Sequence, residues 1–185
     1  MSVTFSAPEG FPTHRHSAEF WEALGRAVAT FGFLEETLAK AIFAFSRTRA
    51  LPDRDHDECF DAWLPELKQT LSDTLISLIE KFEAAVRSQG KMDFNGLDAV
   101  LAHLRALASL RNVLCHGSWK SPDVDGRSLP FFLKRTGEMF DTPVDVAFLR
   151  QTQLATADAI RLIVEMVVTM GWQFPGIKSP GEPLF

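Results

Sequence analysis

Within the run Ser109-Leu-Arg-Asn-Val-Leu-Cys-His-Gly-Ser-Trp, Arg111 and His116 stand where two complementary chemistries could meet. At about 100° per residue, they lie about one and a half turns apart near the end of one helix. The first offers a guanidinium that never sheds its proton, the second an imidazole that exchanges one near neutral pH. With Leu104 as origin, Leu97, Val100, Ala108 and Cys115 fall within about 40° and make an apolar stripe. Arg111 falls about 20° from the centre of that stripe, so it needs an anionic or strongly accepting partner. A polar stripe carries Arg105, Ser109, Asn112 and His116, the last three each within about 40° of Arg105. Left alone, such a face is simply solvated; beside Arg111 it becomes a candidate site.

The first long helix holds the mirror anomaly. With Leu24 as origin, Val28, Phe31, Leu38 and Ile42 lie within about 40°, and Glu35 lies about 20° from the same centre. Glu35 and Arg111 are therefore expected to meet in the interior of a helical bundle. The plain alternative is a structural ion pair, although desolvation of both charges makes such a pair a poor source of stability.

The elements that must position these residues are mostly helical. Residues 1–16, with Pro8, Gly10 and Pro12, read as an irregular, solvated arm that includes His14 and His16. Ser17 caps a helix whose apolar residues recur from Phe20 to Phe45. A second helix is expected from Pro65, through Leu67, Leu71, Leu75, Leu78, Ile79, Phe82 and Val86, to Gly90. A third runs from about Leu97 to Cys115 and a fourth from Val146 to Met170, stopped by Gly171. Between them, residues 128–142 read as a short hairpin turning at Thr136-Gly137, with Pro130 on an edge strand. Residues 172–185 are a non-helical tail. The expected fold is one all-α domain over 1–185, an antiparallel four-helix-type bundle with the hairpin inserted before the last long helix.

Composition narrows the function. A chain of 185 residues with 46% apolar content can bury a core without staples, and two cysteines make no disulfide framework. No segment is long and apolar enough to span a membrane, and MSVTFSAPEG has no basic residue followed by an apolar run; a cytoplasmic protein is expected. The net charge of −5 argues against a sequence-independent duplex binder. Between Leu101 and Arg135, however, six cations face two carboxylates, so this window is +4 and the rest of the chain −9. Such a basic region suits a discrete anionic ligand. Asp53, Asp55 and Asp57 with His56 and Cys59 resemble a metal cluster, but Glu58 and Leu64 stand where a calcium loop needs Gly and Glu. No metal or cofactor is expected. His103 lies off the Arg111 stripe, and Cys115 reads as a buried core thiol rather than a nucleophile.

The Arg111-Asn112-x3-His116 spacing resembles the Arg-x4–6-His signature of HEPN domains, including the polar residue after the arginine. Gly117 and Trp119 are similar to the His-Gly-x-Trp continuation of several bacterial members, and Leu34-Glu35 to a step in their first helix. The resemblance covers roughly residues 17 to 170. It implies a metal-independent endoribonuclease acting as a homodimer, its two motifs facing one cleft, and cutting RNA to a 2′,3′-cyclic phosphate and a 5′-hydroxyl. In that scheme His116 is the general base or acid. Arg111 stabilises charge on the phosphate, and Asn112 positions the phosphate or the imidazole. Glu35 supports the guanidinium, while Arg105, Ser109, Lys120, Lys134 and Arg135 line the approach. A toxin or defence role follows, with an antitoxin or a nucleotidyltransferase as partner. The alternative is a non-catalytic HEPN-like dimer that binds RNA, a nucleotide or a protein.

Overall fold

Recurrence of Leu, Phe and Ala at helical spacing dominates the chain, and the computed structural model is mostly helical accordingly. It describes residues 12–47, 65, 74–89, 96–134 and 136–171. After a 3-10 turn at Pro12–Arg15 come four α-helices: α1, Ala18–Arg47; α2, Leu75–Arg87; α3, Leu97–His116; and α4, Val146–Thr169. Ser17 starts α1 as expected, its Oγ accepting the Phe20 N–H at 3.1 Å. Gly171 ends α4 with φ +79°, a conformation that side chains with a Cβ resist.

The expected second helix is corrected at its start. Pro65 is helical and residues 66–73, with Leu67 and Leu71, lie outside the described residues. The backbone at Thr74 is extended (φ −71°, ψ 152°), so no single helix runs from Pro65 to Gly90. Thr74 instead caps α2 afresh, its hydroxyl accepting the Ser77 N–H at 3.3 Å. The apolar stripe beyond the cap stands: Leu75, Leu78, Ile79, Phe82 and Val86 are buried.

The chain divides into two compact units, residues 1–29 with 109–154 and residues 30–108 with 155–185. The core of the second unit is built from Phe31, Leu34 and Leu38 of α1, Leu78 and Phe82 of α2, Leu101 and Leu104 of α3, and Ile163 and Val167 of α4. Phe45 and Phe82 pack with centroids 6.2 Å apart, and Gln89 Nε2 donates to the Phe45 carbonyl at 2.8 Å. Across its surface Arg105 reaches Glu83 at 2.6 Å, and Arg87 reaches Asp98 at 2.8 Å. The hydrogen bond from Arg87, joined by one from Arg105, holds the Glu83 carboxyl below the usual carboxylate range.

The first unit contains the start of α1, the end of α3, the start of α4 and residues 117–145 between them. Its buried apolar residues include Phe20, Ala23, Leu24, Ala27, Val113, Leu114, Phe140, Val144 and Leu149. Asp145 caps α4, its Oδ1 accepting the Phe148 N–H at 2.7 Å. Within the expected hairpin over 128–142, Lys134 N–H donates to the Glu138 carbonyl at 2.8 Å and Phe140 N–H to the Phe132 carbonyl at 2.9 Å on either side of Thr136-Gly137, but the described residues form bridges and no continuous strand. Ser118 pairs with Phe131, Ser128 with Val144, and Leu133 with Met139, each as an isolated antiparallel bridge. Gly137 N–H donates to the Lys134 carbonyl at 2.9 Å inside that last turn.

Candidate functional site at the end of the third helix

Because α3 contributes to both units, its buried face is not constant. Up to Ala108 the buried positions are Leu97, Leu101, Leu104, Leu107 and Ala108; after Ser109 they are Val113 and Leu114. Val113 and Leu114 project about 180° and about 80° away from Leu104. The stripe that carried Arg111 and Cys115 therefore rotates toward solvent in the last turns. Arg111 is half-buried rather than interior, and Cys115, expected as a core thiol, is exposed. Glu35, in the second unit, is likewise half-buried.

What the first unit brings together is a short polar constellation. Arg111 Nη1 donates to Asn112 Oδ1 at 3.4 Å, a long bond that aligns neighbouring side chains, and Asn112 is half-buried with it. His116, the last residue of α3, is exposed. Ser109 is exposed on the same helix. Arg105 is drawn to Glu83 in the second unit and is an ion-pair partner there. His103 Nε2 lies 3.4 Å from the Ala155 carbonyl, also in the second unit.

The residues after His116 are firmly placed. Gly117 donates its N–H to the Val113 carbonyl at 2.8 Å, closing the last turn. A Cβ on Gly117 would lie 2.5 Å from that carbonyl oxygen and 2.9 Å from Pro130 Cβ, so only glycine fits. Ser118 and Phe131 then exchange two backbone hydrogen bonds of 2.9 and 2.8 Å. Trp119 packs edge-on against Phe20 at 5.2 Å and Trp21 at 6.5 Å, geometries that aromatic quadrupoles favour. His16 belongs to this cluster, 4.4 Å from Phe20 and 6.4 Å from Trp119. It is buried, which corrects the expectation of a solvated arm there; His14 is exposed as expected. The spacing of His16, Phe20 and Trp21 (one helical turn, then a neighbour) was the available sign.

Lys120 is exposed with its Nζ 5.5 Å from the centre of the Phe131 ring. Lys134 reaches Glu138 at 3.5 Å; Arg135 lies outside the described residues. Nearby, Asp123 Oδ1 accepts the N–H groups of Asp125 and Arg127, both at 2.9 Å. The Arg127 N–H, followed by that of Asp125, holds the Asp123 carboxyl below the usual range. A cavity of about 500 Å³ is lined by Arg15, His16, Asp123 and Asp145 among others, and neither Arg111 nor His116 borders it.

Among the described residues no group of three or more His, Cys, Asp or Glu could hold a metal ion; Asp53–Cys59 lies outside them. Nor is any described helix long and apolar enough to cross a membrane. No family model matches the chain, and neither the curated proteins nor the solved structures give a match.

Proposed function

We propose that the protein is a HEPN-like, metal-independent endoribonuclease that works as a homodimer. The observation that carries this reading is the placement of Arg111, Asn112 and His116 on the last turns of one helix, with the guanidinium half-buried and the imidazole exposed. A phosphodiester approaching that end meets a fixed cation and a proton-exchanging ring. His116 withdraws the proton from a ribose 2′-hydroxyl as its oxygen attacks phosphorus. The P–O5′ bond breaks, and the leaving oxygen takes a proton from the imidazolium of the second copy's His116. Arg111 stabilises the charge gathering on the non-bridging oxygens, and its bond to Asn112 limits how the guanidinium can turn. The products are a 2′,3′-cyclic phosphate and a 5′-hydroxyl. As a toxin or defence component, such an enzyme is held in check by an antitoxin or a nucleotidyltransferase.

One observation favours a second reading, a non-catalytic helical dimer that binds RNA, a nucleotide or a protein. The chain carries a net charge of −5, unusual for a protein that must capture RNA broadly. A single assay separates the two. Single-stranded RNA incubated with purified protein and excess chelator is expected to be cut by the wild type and left intact by His116→Ala, with cyclic-phosphate ends on the products. Intact RNA under every condition, with RNA or another partner still bound, favours the binding dimer.

A further inference from the structure

The bridge that follows His116 displays an aromatic ring that the proposed reaction does not use. Phe131 is 57% exposed, although both its backbone groups are fixed by Ser118. Residues that exchange two hydrogen bonds across an antiparallel pair have Cα atoms about 5.5 Å apart. Ser118 is two residues beyond His116, a reach of at most about 7 Å. The Phe131 backbone thus lies within about 13 Å of that of His116, a distance that one or two nucleotides of a single strand cover.

Lys120 brings a cation to the face of Phe131. Directly opposed residues share a face, and so do alternate residues along each segment. Ser118, Lys120 and Phe131 therefore point the same way, as the 5.5 Å contact between the ammonium and the ring requires. Lys120 forms no ion pair among the described residues, whereas Asp123 and Asp125 are engaged by Arg127 and Glu138 by Lys134; the exposed Asp141 accepts a long hydrogen bond from the Thr142 hydroxyl at 3.5 Å. Leu129 and Leu133, 45% and 58% exposed, flank the ring. An exposed aromatic plane with a free ammonium over it matches a nucleobase and its phosphate, which stack and pair in that geometry.

We infer that Phe131 and Lys120 form a stacking platform for an unpaired base next to the cleavage point, so that the substrate class is single-stranded RNA. This rests on the endoribonuclease reading for the location of the scissile phosphate, but the platform itself is measurable without cleavage. A duplex keeps its bases stacked on one another and offers Phe131 no free face.

The test uses full-length protein and a single-stranded RNA oligonucleotide carrying 2′-O-methyl groups throughout and one 2-aminopurine, which cannot be cut by 2′-hydroxyl attack. Wild type is expected to bind it and to change the 2-aminopurine fluorescence. Phe131→Ala should weaken binding about ten-fold or more and abolish that change, and Phe131→Trp should restore both. Lys120→Ala should lower the salt slope of log Kd by about 0.7, one phosphate contact on a single strand. Because Phe131 is exposed, circular dichroism of Phe131→Ala should match the wild type. Unaltered Kd in Phe131→Ala overturns the inference, as does the absence of any wild-type binding. Unaltered Kd with altered sedimentation overturns it too, and assigns the face to an interface between copies. If Phe131-dependent binding occurs but unmodified RNA stays intact, the platform stands and the endoribonuclease reading fails.

Discussion

Two side chains separate the chemistry from the scaffold. His116 is exposed at the end of α3, and substitutions of exposed residues outside caps and networks shift stability by no more than about 0.5 kcal/mol. His116→Ala should therefore abolish RNA cleavage while leaving the thermal midpoint unchanged; cleavage assays paired with calorimetry check this. Arg111 is half-buried and bonded to Asn112, so Arg111→Ala removes packing as well as charge. A loss of about 1–2 kcal/mol is expected, together with loss of cleavage. Arg111→Lys should recover most of the stability but little of the activity, because an ammonium lacks the planar fork that pairs with phosphate. The residue types and spacing of Arg111, Asn112 and His116 were legible in the sequence, since helical projection needs only a correct helix. Their degree of burial was not. Helical projection gives α3 a single apolar stripe, whereas its last turns bury Val113 and Leu114 instead.

At the scale of elements, caps and turns fix where the helices start and where the site loop goes. Thr74→Ala removes the acceptor for the Ser77 N–H and should lower stability by about 1 kcal/mol, measured by urea unfolding. The same cap sets the start of α2 later than the apolar periodicity implies. Leu67 and Leu71 continue the periodicity of Leu75 and Leu78, and periodicity alone does not reveal an extended residue between them. Pro12 and the polar His14-Arg15 pair likewise masked the burial of His16, which the spacing of His16, Phe20 and Trp21 alone signals. Gly117 is the tightest point of the site loop. Gly117→Ala sets a Cβ 2.5 Å from the Val113 carbonyl and should displace the Ser118–Phe131 bridge, seen as lost amide protection at both residues. The Asp123 turn is acid-sensitive. Its carboxyl titrates lower when folded than when unfolded, so its stabilising effect is complete above the ordinary aspartate value of about 3.9. That effect is lost as pH falls through the folded value. Amide signals of Asp125 and Arg127 should shift over that acid range, and in Asp123→Asn the acid-dependent change should vanish.

For the molecule as a whole, helical content was the easiest property to read, because apolar periodicity over 20 to 30 residues leaves little else open. The boundaries of α1, α3 and α4 follow the sequence pattern to within a residue or two, set by Ser17, Gly117 and Gly171. Division of the residues into two compact units was not legible, since each of these three helices reads as one uninterrupted pattern. The proposed chemistry needs a proton acceptor and a proton donor, and pairing two copies of His116 supplies both. Mixing inactive His116→Ala protein with wild type in excess should accordingly depress activity below simple dilution. The most direct measurement is the identity of the RNA ends left by wild-type protein in the presence of a chelator. The account requires a 2′,3′-cyclic phosphate and a 5′-hydroxyl, both missing with His116→Ala. Cleavage that persists in His116→Ala, or that leaves a 5′-phosphate, would contradict it.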